Sequence, residues 1–91
     1  MSNRVPRTDI EVAVAQAIRK LGLCDVEVLP LHELQNDLGI DSTEMVELAA
    51  IVRGDLGLTR ERLDLRKIVT VADMVSQLET MLAARVLEVA S

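Results

Sequence analysis

Apolar residues fall at helical spacing in three stretches of the chain. In the first, Ile10, Ala13, Val14, Ala17, Ile18 and Leu21 lie three or four apart and make one helix face. Thr8 or Asp9 is placed to cap its start, and Gly22 to end it. A second helix is predicted from Ser42 to about Leu56, with Leu48, Val52 and Leu56 as its inward stripe and Ala49 and Ile51 beside it. Gly39 permits a tight turn before this helix, and Asp41 followed three residues later by Glu44 is a capping-box pattern. Gly54 weakens its last turn and Gly57 stops it. Thr70 with Asp73 caps a final helix whose inner face holds Val71, Val75, Leu78, Leu82 and Val86.

The intervening segments are less regular. "LCDVEVLPLHELQN", residues 23–36, contains Pro30 and keeps no period. It reads as a long connection whose Leu29, Leu31 and Leu34, with Leu38 just beyond, call for burial. A short strand at 26–29 is the alternative, although no other segment looks like its pairing partner. "TRERLDLRKI", residues 59–68, is predicted to form a short third helix. No repeat, low-complexity stretch or linker divides the chain. Residues 1–7 read as a frayed leader, 84–91 as a helix end and tail, and about 9–83 as the core of a single domain. The predicted fold is all-α: a small four-helix bundle of three longer helices and one short one, with a long loop between the first two.

Composition sharpens this picture. The 91 residues are 49% hydrophobic and 27% charged, the balance of one globular domain near the lower limit for a self-sufficient core. There is no Phe, Tyr or Trp, so aliphatic side chains and Met fill the interior, and such a core is pliant enough to open for a guest. The formal net charge of −5 makes nucleic acid and anionic membranes poor partners, and the lack of aromatic rings removes base-stacking platforms. Basic patches on other proteins fit better. Cys24 is the only cysteine, so an internal disulfide is impossible. "MSNRVPRTD" lacks an apolar targeting core and no run approaches a membrane span, so a cytoplasmic monomer is expected.

Few side chains offer chemistry. His32 and Cys24 are too few to hold zinc. A Ser-His-Asp hydrolase needs G-x-S-x-G-like surroundings and an oxyanion hole, and neither is evident. No enzyme is expected. His32 reads as a loop residue and Cys24 as a small apolar one. Arg60, Arg62, Arg66 and Lys67 alternate with Glu61 and Asp64, the pattern of a salt-bridged surface. That leaves Ser42, which opens the second helix within "DLGIDSTEMVEL". A hydroxyl there lies in the first turn, where backbone N–H groups lack helical partners and the dipole end is positive, so a phosphate ester is accommodated. Leu38 and Ile40 would anchor the preceding turn. Taken alone, Asp-Ser is an ordinary helix cap.

The wider context is not ordinary. "DLGIDSTEMVEL" resembles the prosthetic-group attachment motif of acyl carrier proteins, a D-S-L core followed by a Val/Glu/Leu-rich helix. The likeness runs over about residues 9–83 and includes "KIVTVADMVSQL" as the last helix. It implies that Ser42 receives 4'-phosphopantetheine from a phosphopantetheinyl transferase, with Asp41 helping that enzyme recognise the serine. It implies too that acyl-loading and synthase enzymes with basic docking patches exchange thioesters on the arm. By the same resemblance the second helix is the docking surface. Asp37, Glu44 and Glu47 would supply its charge, and Met45 and Val46 its apolar contact.

Two departures stand out. Thr43 replaces the usual leucine after the serine, and Arg53 with Gly54 interrupts a stretch that primary fatty acid carriers keep acidic. Both point to a dedicated carrier for polyketide or related natural-product assembly. A peptidyl or aminoacyl carrier of nonribosomal assembly is the alternative, though "GIDS" favours the acyl type. A helical interaction module that never carries a cofactor is the rival of a different class.

Overall fold

The computed structural model describes residues 6–23, 27–58 and 62–90. Three helices form: α1 (Arg7–Lys20), α2 (Ser42–Asp55) and α3 (Val71–Ala90). α1 packs against both others. Its stripe of Ile10, Val14, Ala17 and Ile18 is buried, and the core closes with Leu48 and Val52 from α2 and Val71, Met74, Val75, Leu78 and Leu82 from α3. The interior is therefore assembled from aliphatic and methionine side chains at the helical spacing that the sequence shows.

α1 departs from its expected start. Neither Thr8 nor Asp9 caps it; both lie in its exposed first turn. Pro6 occupies the cap, and its carbonyl accepts from the Asp9 and Ile10 amides at 3.0 and 3.3 Å. Proline brings a φ already suited to a helix entrance, so the backbone supplies what a capping side chain would. The helix thus begins inside the expected leader, where Arg7 pairs with Glu79 on α3 at 3.1 Å.

The long connection buries only part of what was expected of it. Leu34 and Leu38 enter the core, whereas Leu29 is 43% and Leu31 85% exposed. Their backbone explains the difference. The Pro30 and His32 carbonyls accept from the Ala72 and Val71 amides, both at 2.9 Å. The first turn of α3 has no helical acceptors for these N–H groups, so the loop is held to serve them, and its leucine side chains stay outside. No strand forms at residues 27–29, and Val26 lies outside the described residues. An isolated bridge between Glu33 and Thr70, with the Leu34 amide on the Val69 carbonyl at 2.9 Å, ties the loop to the approach of α3.

The short third helix is a three-residue 3₁₀ turn, Leu65–Lys67, and residues 59–61 lie outside the described residues. Asp64 is the reason. Its carboxylate accepts from the Arg66 amide at 3.2 Å, and the Gln77 side chain grips its backbone, accepting from N–H at 3.0 Å and donating to C=O at 3.1 Å. Backbone groups that a longer helix would need are thereby spent on side chains. α3 starts as expected. The Asp73 amide donates to Thr70 Oγ1 at 3.1 Å, and Asp73 Oδ2 accepts from the Thr70 and Val69 amides, each at 3.0 Å. These amides, Thr70 foremost, hold the Asp73 carboxyl below its ordinary range.

Candidate functional site

The site is built around the entrance of α2. Gly39 turns the chain at φ +69°, a conformation that suits glycine. On either side of it Leu38 and Ile40 are buried, and the Ile40 amide donates to the Leu34 carbonyl at 3.0 Å. The turn is thus pinned at both ends. Asp41 then caps the helix: Oδ1 accepts from the Glu44 amide at 2.8 Å, and Glu44 Oε1 accepts from the Asp41 amide at 3.1 Å. The reciprocal pair fixes the cap at Asp41, one residue before Ser42.

Ser42 is consequently the first residue of α2 and is exposed. Its hydroxyl enters no hydrogen bond among the described residues, and no helix carbonyl reaches the amides of this first turn. Beside it lies a groove of about 490 Å³. It is lined by Glu33, Gln35 and Asn36 from the loop, by Ser42, Met45 and Val46 from α2, and by Leu65, Arg66, Ile68 and Val69.

The residues expected to meet partners are not equivalent. Glu47 and Val46 are exposed on α2, Val46 to 60%. Met45 is not: only 3% exposed, it belongs to the core and reaches the groove from within, so its expected place as an outer apolar contact is corrected. Helical geometry turns position 45 toward the same side as the buried Leu48 and Val52. Glu44 is half-buried and committed to the cap. Asp37 is exposed, but Oδ2 accepts from the Glu33 amide at 2.7 Å and so steadies the loop. Thr43 is exposed beside Ser42, and Arg53 Nε donates to the Ala49 carbonyl at 3.4 Å.

His32 sits in the loop, where Nδ1 accepts from the Leu29 amide at 3.2 Å. Cys24, Arg60, Glu61 and the side chain of Val86 lie outside the described residues. No group of three potential metal ligands occurs among the described residues. None of their helices is long and apolar enough to cross a membrane. Sequence reasoning missed Gln35, Asn36 and Val69 as groove residues, and took Arg66 only as surface. No periodicity marks them, because they converge from two irregular segments.

The chain is 35% identical over 74 residues to an acyl carrier protein from an Exiguobacterium species, covering 81% of this chain and 90% of that protein. This chain belongs to the acyl carrier protein family. An acyl carrier protein from Thermotoga maritima is 38% identical over 60 residues, 66% of this chain and 74% of that one. No family model and no solved structure matches the chain. As an acyl carrier protein it is a carrier, not an enzyme. The family generally bears a phosphopantetheine group and works with synthase and transferase enzymes. The entrance of α2 fits such a group. It offers an exposed serine at the first helical position, with Ser42 and Thr43 amides that take no helix carbonyl and a groove alongside.

Proposed function

We propose that Ser42 bears 4'-phosphopantetheine and that the chain carries acyl thioesters between biosynthetic enzymes. The observation that carries this reading is the exposed Ser42 at the first position of α2, held outside the core by a cap and a pinned turn. In loading, Ser42 Oγ attacks the pantetheine-bearing phosphate of coenzyme A and forms a phosphodiester as the diphosphate P–O bond breaks. Adenosine 3',5'-bisphosphate leaves, the hydroxyl proton passes to a base of the transferase, and Asp41 holds the helix start that presents the serine. When bound, the group supplies a terminal thiol that holds cargo as a thioester on a long arm. The chain's own contribution is presentation: it offers the arm to each partner at high effective concentration.

On this reading Glu47 and Val46 are the outward contacts of α2, supported by the charge of Asp37 and Asp41. Thr43 and the Arg53–Gly54 pair favour a dedicated pathway, polyketide or related assembly, over primary fatty acid synthesis. Aminoacyl cargo is the second reading, and loading assays with amino-acid adenylating enzymes against acyltransferases separate the two.

Co-expression with a broad-specificity phosphopantetheinyl transferase is expected to add one phosphopantetheine mass to the intact protein. Ser42→Ala removes that addition. An unmodified wild-type chain, under conditions that load a control carrier, would leave the unmodified interaction module as the better account.

A further inference from the structure

Charge along this chain is segregated in a way that composition hides. Between Lys20 and Arg53 there is no lysine or arginine, while Glu33, Asp37, Asp41, Glu44 and Glu47 follow one another through the loop, the turn and the first half of α2. Arg53 opens a stretch that also holds Arg62, Arg66 and Lys67. Folding brings residues of both stretches to one groove. Glu33, Ser42 and Arg66 all line it, and Lys67 follows Arg66 in the sequence.

Neither side neutralises the other. None of the five carboxylates is in an ion pair among the described residues, and neither is Lys67. Among the described residues Arg66 pairs only with Asp64, at 3.5 Å, with its side chain 94% exposed. Such a pair contributes almost nothing in water. Alongside these charges the groove exposes Val46 (60%) and Val69 (52%). Apolar contact at the centre with charge at the rim is the anatomy of a protein–protein docking patch.

A wholly acidic face would attract any basic patch in several orientations. Separate strips of opposite sign around one groove select one, because a rotated partner meets like charge. We infer that the groove beside Ser42 is the centre of a two-signed docking surface. Its partner is an enzyme mouth with a basic strip facing the acidic loop and α2, and a carboxylate strip facing the Arg66–Lys67 turn. The partner's identity as an enzyme rests on the carrier reading; the charge arrangement does not.

Net charge and surface pattern make opposite forecasts, which gives the test. A peptide with a tetralysine block and a neutral Gly-Ser tail is titrated into the labelled protein, and amide shifts are read by NMR at low salt. A second peptide carries a tetraglutamate block at the end of the same tail. Against a chain of net charge −5 the added glutamates weaken binding if overall charge governs. The two-signed surface predicts the reverse: about tenfold tighter binding, with new shifts at residues 65–69. Arg66→Glu with Lys67→Glu, both exposed, should make the glutamate block weaken binding while the tetralysine peptide binds at least as well. Weaker binding of the two-block peptide to the wild-type chain, or a gain that survives the double substitution, overturns the inference. Ser42→Ala protein should titrate as wild type does, so this outcome is independent of whether Ser42 is modified.

Discussion

Asp73 shows how much one carboxylate can organise. It receives the Thr70 and Val69 amides and returns its own amide to Thr70, closing the entrance of α3. Because its folded pKa is depressed, its contribution is complete at neutral pH and is lost in acid, as pH falls through the lowered folded value. Asp73→Asn should therefore flatten the acid limb of a stability–pH curve measured by urea unfolding. An unchanged limb would assign acid sensitivity to other carboxylates. The Thr70–Asp73 and Asp41–Glu44 boxes were legible at this scale because each depends on four adjacent residues. The Pro6 cap was not, since a backbone carbonyl leaves no mark in side-chain identity.

At the scale of elements, periodicity located all three helices but left position 45 ambiguous. Met45 and Val46 are neighbours in sequence, yet one faces the core and the other solvent, as a 100° step per residue requires. The contrast is measurable along α2. Leu48→Ala, at a fully buried position, should cost about 2–5 kcal/mol in denaturant unfolding. Val46→Ser, at an exposed one, should stay within about 0.5 kcal/mol. Equal losses would place Val46 in the packing rather than at the groove rim. The segment 59–68 misled the reading for a different reason. Its composition permits a helix, but Gln77, thirteen residues beyond Asp64, claims the backbone that the helix needs. Only tertiary structure brings that competitor near. Leu29 and Leu31 misled it likewise, because hydrophobicity foretold burial while the backbone of their loop was required at α3.

For the whole molecule, an acidic balance is set against few internal ion pairs. Among the described residues, Arg7–Glu79 ties α1 to α3 and Lys20–Asp55 ties α1 to α2, both between exposed side chains. Such pairs are worth about 0–1 kcal/mol each, whereas the carboxylates of residues 33–47, in no ion pair among the described residues, repel one another. Screening should relieve more repulsion than it removes attraction. Raising sodium chloride from about 20 mM to about 500 mM is expected to lift the thermal midpoint by about 5 °C. A fall on adding salt would mean that the pairs outweigh the repulsion. The fold class, the helix order and the serine at the head of α2 were all readable before any coordinates. The groove was not, because its walls are contributed by segments some thirty residues apart that have no period of their own.

An interior without a single aromatic ring has a practical consequence. No ring current acts on the methyl groups of Leu48, Val52 or Leu78, so their proton resonances will crowd together even when the packing is unique. A narrow methyl spectrum, ordinarily taken to signal a molten interior, carries no such meaning for this molecule. The same lack leaves it dark in tryptophan fluorescence, so one indole introduced at exposed position 46 would report the arrival of a partner against no background.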